Sequence, residues 1–471
     1  FFHIVREFDA HRARFPDRLT HISLAALSEE DSQTLIRELL SLSEIPLPLR
    51  EVLREQIFQR AAGNPFYIEE LLRMLIDRRV IYQGLNAWEV APGARVSELG
   101  VPDTIGGLIM ARFDRLAYHE RRLLQIASVI GSEAESDLLA AVFQQSEDDG
   151  VDLPAALAEL QGRDFFTLSG GGAAPVYRFR HVLTSETVYG TLLKRERNLL
   201  HGTVAESIER LRSGRLDDYA EMLALHFSLS GDAEKALRYL VASGEKAFRA
   251  FAIKDAQQYF RQAQEHLAAV PYAREAKYQI SSRLGDILVL SGEYGAARSL
   301  YEEAMTALPQ LDAAAHAERA GSLLRRIGAT FEKEGDYASA MGQLEAAQRD
   351  VEASPVLLAT ELARVLNDMG WVRFQHGRTE DAAQDLQRAL ALVVNSRDYE
   401  VIGSIYNRLG GVAFARGNLD EAADFVRQSL RLREAIGDLV GAARSHNNLG
   451  VLGELRGDWK NALESFRHSL G

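Results

Sequence analysis

Arg178, Arg180 and His181 stand within four residues of one another, at the point where an alternating stretch, residues 176–180, meets a helical pattern that begins at Val182. An imidazole exchanges a proton near neutrality, and beside two guanidiniums its natural chemistry is recognition of an anion, above all a phosphate. The junction itself favours this, because the unpaired N–H groups of a helix N-terminus also face an anion. The plain alternative is a histidine that caps the helix or fills an interface. A second constellation recurs along the chain. Asn367, Asn407 and Asn447 each lie three residues before a repeated glycine, and Arg364, Ser404 and Arg444 lie six before it. A spacing of three places each pair on one helical face. An asparagine ladder can satisfy both N–H and C=O of an extended peptide, and Arg364 and Arg444 would suit a carboxylate. Trp371, Phe374 and Phe414 either floor such a groove or fill the space between repeats. The alternative for the whole set is a solvated polar helix face.

Other chemistries are absent. A phosphate loop needs a Gly-Lys pair, and none occurs. His119-Glu120 is followed by Arg121, Arg122 and Leu123, so the second histidine of a zinc-binding H-E-x-x-H is missing. No G-x-S-x-G elbow occurs, and with no cysteine there is neither thiolate chemistry nor a disulfide. No metal site is expected.

The elements that position these residues fall into two classes. From about residue 220 the chain repeats. Gly285, Gly328, Gly370, Gly410 and Gly450 are spaced 43, 42, 40 and 40 apart, and seven residues after each comes another glycine, Gly292, Gly335, Gly377, Gly417 and Gly457. An alanine-rich amphipathic stretch follows each second glycine, so each unit reads as helix, tight turn, helix. Looser units begin at Gly231 and Ala252. Before the repeats, residues 1–5 and 19–24 read as strands, with a helix opened by Ser28 and Asp31 as a capping box. Gly63-Asn64-Pro65 joins two helices, the glycine ending one and the proline beginning the next. A helical stretch from Val101 to about Asp164 then leads into two β-rich runs around a glycine-rich tip, Ser169 to Pro175, and a final helix. Helices, a hairpin and another helix describe a winged-helix domain.

The chain has 471 residues and a net charge of -13, and lysine supplies only seven of its 54 basic side chains, a bias typical of a GC-rich bacterial gene. Acidity without a basic stripe argues against nucleic acid as the main partner. No apolar run approaches the roughly 20 residues of a membrane span, and a cytoplasmic location is expected.

The repeats resemble tetratricopeptide repeats lengthened to about 40 residues. The first half resembles the STAND class of signalling NTPases, on three motifs in order: GNPFYIEELLRML, VPDTIGGLIMARFDRL with RRLLQIASVIG, and YRFRHVLTSETVYGTLL with RERNLLHGTVAESIE. That resemblance implies a mainly α architecture. Residues 1–46 would be the C-terminal end of an α/β NTPase core, 47–98 a helical lid, 99–215 a winged-helix domain and 216–471 a repeat superhelix. It further implies that Pro65 packs on adenine, that His181 contacts the diphosphate of ADP in a locked resting state, and that Arg6 senses the terminal phosphate. The family's Met-His-Asp motif is here Arg180-His181-Val182, so only the histidine carries over. The phosphate loop and the Mg-binding strand would precede Phe1, making this chain part of a longer ATP/ADP switch and itself unable to hydrolyse ATP. A ligand on the repeats would favour an open, self-associating form. Two other readings stand beside it. One is a non-enzymatic interaction scaffold. The other is a DNA-reading winged helix using Arg178, Arg180, Lys194, Arg195 and Arg197, whose binding would depend steeply on salt.

Overall fold

The computed structural model describes residues 25–42, 61–84, 88–91, 101–146, 150–169, 175–308 and 312–470. The strands expected over 1–5 and 19–24, the helix expected before Gly63 and the tip at 170–174 lie outside the described residues. The described chain is mainly α, with 21 α-helices, and none of them is long and apolar enough to cross a membrane. It divides into two compact units, the first ending at Gly214 and the second beginning at Arg215.

In the first unit, α1 (Glu29–Leu39) is opened by the capping box read from the sequence: Asp31 N–H donates to Ser28 Oγ at 3.1 Å. Next, α2 (Pro65–Asp77) begins with its proline at the first turn, where no N–H is needed, and Asn64 Oδ1 accepts from Phe66 N–H at 3.0 Å. Gly63 has φ +73, and a Cβ there would fall 2.8 Å from the Leu27 nitrogen, so only glycine fits this turn. Tyr67, Ile68, Leu71, Leu72, Met74 and Leu75 of α2 are buried against α1 and against Val80, Ile81 and Val101. A short antiparallel pair follows, β1 (Ile81–Gln83) with β2 (Trp88–Val90), anchored by Trp88 Nε1 donating to Leu40 O at 2.9 Å.

Helices α3 (Ile105–Phe113) and α4 (Tyr118–Ile130) lead to β3 (Glu133–Glu135), then α5 (Ser136–Ser146), α6 (Leu153–Gly162), β4 (Phe166–Ser169), β5 (Val176–Phe179), α7 (Val182–Thr191) and α8 (Lys194–Leu211). The sheet order is β3-β5-β4, antiparallel throughout, with Ala134 opposite Tyr177 and Phe166 opposite Phe179. The hairpin β4–β5 matches the expectation. The uninterrupted helical stretch expected before it is corrected: β3 interrupts it. Glu133-Ala134-Glu135 shows no apolar alternation because a three-residue edge strand buries only its alanine, and its pairing comes from the backbone of β5. The pair β1–β2 was equally silent.

In the second unit a 3₁₀ turn (Leu216–Tyr219) and α9 (Ala220–Ser230) precede six helical hairpins. They are α10 (Ala233–Arg249) with α11 (Ile253–Leu267), α12 (Arg274–Leu290) with α13 (Tyr294–Thr306), and α14 (Ala313–Glu334) with α15 (Tyr337–Glu352). Then come α16 (Ala359–Gln375) with α17 (Thr379–Val393), α18 (Tyr399–Ala415) with α19 (Leu419–Ala435), and α20 (Leu439–Leu455) with α21 (Trp459–Leu470). The two glycine series do different work. In the first series, a Cβ at Gly370 would fall 2.8 Å from Leu386 Cγ, and one at Gly410 would fall 2.8 Å from Val426 Cγ2, so these glycines let paired helices touch. The second series ends each first helix in the left-handed region, with φ +80 at Gly335 and Gly377.

Candidate functional site

Pro65, at the head of α2, is itself exposed, and the residues after it form a polar seam. Phe66, Glu69 and Arg73, spaced three and four apart, share one face of α2. That face meets the junction of β5 and α7. His181 is the N-cap residue of α7 with extended backbone, φ -133, so it lies between strand and helix as the sequence required. Its ring centroid lies 4.1 Å from that of Phe66, and its Nε2 lies 3.3 Å from Glu69 Oε2. At that distance the ring nitrogen can still act on the carboxylate as a donor, but the contact is poorly aligned, and the buried Nε2 makes no well-formed hydrogen bond among the described residues.

Glu69 gathers more charge. Arg73 Nη2 stands 2.5 Å from its Oε1 and Arg180 Nε 3.3 Å from the same oxygen. Asp164, in the turn before β4, accepts from Arg180 at 3.0 Å and lies 3.4 Å from Arg73. The His181 ring nitrogen is the largest influence on the Glu69 carboxyl. Burial opposes it, Arg73 and Arg180 reinforce it, and the carboxyl is pulled down to about 2. Next to this cluster, the buried Arg112 of α3 donates to Glu70 Oε2 and Asp77 Oδ2, both at 2.8 Å, and to the Arg163 carbonyl at 2.5 Å. Its guanidinium also lies 4.5 Å over the Phe165 ring. Glu69, Glu70, Arg73, Arg112 and Asp164 were not singled out from sequence. Their only trace was Glu69, Glu70 and Arg73 as charges on the largely apolar α2, which pattern alone reads as a solvated edge.

The structure therefore brings His181 to the helix that Pro65 opens. Arg6 lies outside the described residues. Arg178 is paired with Glu133, its partner across the β3–β5 ladder. A phosphate fits the donors here, a buried imidazole nitrogen without a well-formed hydrogen bond and the Arg180 guanidinium beside it, but the Glu69 carboxylate already faces both.

In the repeats, two clefts adjoin. A polar one of about 280 Å³ is lined by Arg364, Asn367, Ser404 and Arg408 together with Arg325 and Arg433. Asn367 is buried, its Nδ2 donates to Ser404 Oγ at 3.2 Å, and its Oδ1 has no partner among the described residues. Arg364 is paired with Asp398 at 3.0 Å, and Arg325 and Arg408 share Asp368 at 3.0 and 2.8 Å, so these guanidiniums carry their counter-charges with them. The second cleft, about 370 Å³, is lined by Trp371, Phe374, Phe414 and Asn407. Trp371 and Phe374 stack at 5.6 Å, and Arg408 lies 5.5 Å over Trp371 between the clefts. Asn407 Oδ1 accepts from Asn448 Nδ2 at 3.0 Å, so the neighbour of Asn447 meets it, while Asn447 and Arg444 are exposed outside both linings. Among the described residues no cluster of acidic and histidine side chains could hold a metal ion.

Comparison with known proteins bears on both halves. The tetratricopeptide repeat family model matches residues 401–471, and a domain of unknown function (DUF8739) matches residues 28–83. An uncharacterized protein of Rhizobium meliloti (strain 1021), R02095, is 25% identical over 294 residues, which is 61% of this chain and 27% of that protein. Among solved structures, the Signal Transduction ATPase with Numerous Domains (STAND) protein with a tetratricopeptide repeat sensor from Pyrococcus horikoshii matches 96% of this chain and 60% of its own, at a TM-score of 0.55 and 14% identity. The chain thus spans about a quarter of the one relative and about three fifths of the other. Its C-terminal part carries tetratricopeptide repeats, which support a protein-interaction or sensor role, and it shares a fold with a STAND protein.

Proposed function

We propose that this chain is the regulatory and sensor part of a longer STAND-type switch in signal transduction or transcription control. In this reading α3 to α8 form a winged-helix domain, and α1 and α2 belong to the core and lid. The observation that carries the reading is the meeting of Phe66 and Glu69, on the helix opened by Pro65, with Arg180 and His181. A lid and a winged helix joined there can be held together by an anion, whether a carboxylate of the chain or the phosphate of a ligand. Bound ADP would supply the negative charge and an adenine ring. His181 and Arg180 would hold the phosphate end, Pro65 would pack on the base and Arg6 would sense a third phosphate. Hydrolysis, with its Mg and phosphate loop, would be the work of another part of the proposed switch, since this chain has no Gly-Lys pair.

The switch needs a ligand that distinguishes the two states, since only a difference in affinity moves an equilibrium. The repeats supply the place for it. The unpartnered Asn367 Oδ1 would accept an N–H from an extended peptide or small inducer, with the aromatic cleft beside it taking an apolar group. Arg364, Asn407, Arg444 and Asn447 remain candidates for the same groove, with self-association following release. The pairing of Arg364 with Asp398 favours a neutral or dipolar group over a bare carboxylate. A second reading, an interaction scaffold without nucleotide, is favoured by one observation: Glu69 already answers His181.

The test is titration of the nucleotide-free longer protein with ADP. Binding that His181→Ala weakens between about ten- and a hundredfold, as loss of a charged hydrogen bond should, supports the switch. No binding in either leaves the scaffold.

A further inference from the structure

The switch reading, on which this inference rests, asks His181 and Arg180 to hold a phosphate, yet both already face a carboxylate from the chain itself. Glu69 Oε2 lies 3.3 Å from His181 Nε2, and Glu69 Oε1 lies 3.3 Å from Arg180 Nε. One carboxylate, on one helix, thus spans both donors that the junction of β5 and α7 offers. Its side chain is 17% exposed, so water screens the contact weakly. Three further features point the same way. The His181 contact lacks aligned hydrogen-bond geometry, so Nε2 is left with a bond to give that an incoming anion can take. Arg73, which also pairs with Glu69, has an alternative partner in Asp164 at 3.4 Å, so a displaced Glu69 does not strand it. Arg180 likewise keeps Asp164 at 3.0 Å.

We propose that Glu69 is an internal anion that competes with the phosphate end of a ligand for His181 and Arg180, and thereby sets how tightly this junction takes a phosphorylated ligand. The carboxylate holds α2 on the junction when no phosphate is present. A phosphate binds only as Glu69 yields. The ligand class is a diphosphate, free or carried by a nucleoside, because the competition concerns the anionic end alone. The charge on the Glu69 carboxyl is secure at neutral pH, since its own neighbours pull it far below the ordinary carboxylate range.

The experiment is calorimetric titration of the full chain with inorganic diphosphate, ADP and adenosine, in the parent and in Glu69→Gln, Glu69→Asp and Glu69→Gln/His181→Ala. Folding of each variant is checked by circular dichroism. Removing one close negative charge is expected to tighten diphosphate and ADP by about tenfold in Glu69→Gln. Glu69→Asp, which keeps the charge but draws it back, should fall between the two, and serves if Glu69→Gln does not fold. Adenosine should be indifferent to all of them, and the double variant should lose the gain. Equal or weaker diphosphate binding in both Glu69 variants overturns the proposal and makes Glu69 a structural or orienting residue. If diphosphate binds to none of these chains while ADP stays with the longer protein through purification, Glu69 is no competitor and the switch stands. If neither holds, both fall.

Discussion

Glu69 is faced by Arg73 from its own helix and by Arg180 and His181 from the β5–α7 junction, and Asp164 shares the two arginines. Its carboxyl, drawn from 4.5 to about 2, carries a stability contribution with a definite sign. A depressed carboxylate stabilises the fold above 4.5, and that contribution is lost as pH falls toward 2. Glu69→Gln is therefore expected to lower the denaturant midpoint of the first unit at pH 7, with parent and variant converging in strong acid. Trp88 fluorescence in a chain with Trp371→Phe and Trp459→Phe reads it. His201 behaves in the opposite sense of charge. It is buried on α8 with Tyr189 Oη 3.0 Å from its Nε2, and burial, then Arg197, pushes it from 6.5 down to about 4. The unfolded chain takes that proton first, so stability falls as pH drops from 6.5 to 4 and this loss then levels off. His201→Gln should flatten the stability profile across that window; an unchanged slope would show that His201 is not its source.

At the scale of elements, the repeats were legible in sequence because each glycine has one steric job. The register of Gly285, Gly328, Gly370, Gly410 and Gly450 marks helix contact, and the series seven residues later marks helix ends. Adjacent glycines test this. Gly410→Ala should destabilise the second unit by about 1–3 kcal/mol, since its Cβ would fall 2.8 Å from Val426 Cγ2 and 3.2 Å from the Ala422 carbonyl. Gly411→Ala, with nothing within 4 Å, should stabilise it by up to about 1 kcal/mol. Urea denaturation of the two variants compares them, and equal effects would contradict the close-packing argument. In the first unit the hairpin and the helix after His181 were legible, whereas β1, β2 and β3 were not, because strands of three residues carry too few side chains to show a period. The seam along α2 was hidden for another reason. Glu70 and Arg112 read as ordinary surface charges, yet each side chain is 2% exposed and they meet at 2.8 Å. Arg112→Met should cost about 3–5 kcal/mol by leaving the buried Glu70 with only the longer Arg73 contact at 3.5 Å, and Glu70→Gln with Arg112→Met should recover part of it, as a thermal-melt double-mutant cycle would read.

For the whole molecule, the site was legible in unequal parts. His181 could be found because a titratable ring between strand and helix is unusual in pattern, and the structure sets it against the helix of Pro65. Its counter-charge could not, because Glu69 is 112 positions away and nothing local pairs them. In the repeats the period found Asn367 and Asn407, while Asn448 takes the contact with Asn407, since on α20 it is this neighbour that turns inward. In the proposed switch a nucleotide is held in the first unit through one histidine, His181. The most direct measurement is to purify the longer protein, with the residues before Phe1, denature it and identify any released nucleotide by chromatography, alongside His181→Ala. ADP released in stoichiometric amount from the parent and little from the variant is the expected result. No nucleotide from the parent, or equal ADP from both, would contradict the assignment of His181 as the phosphate latch.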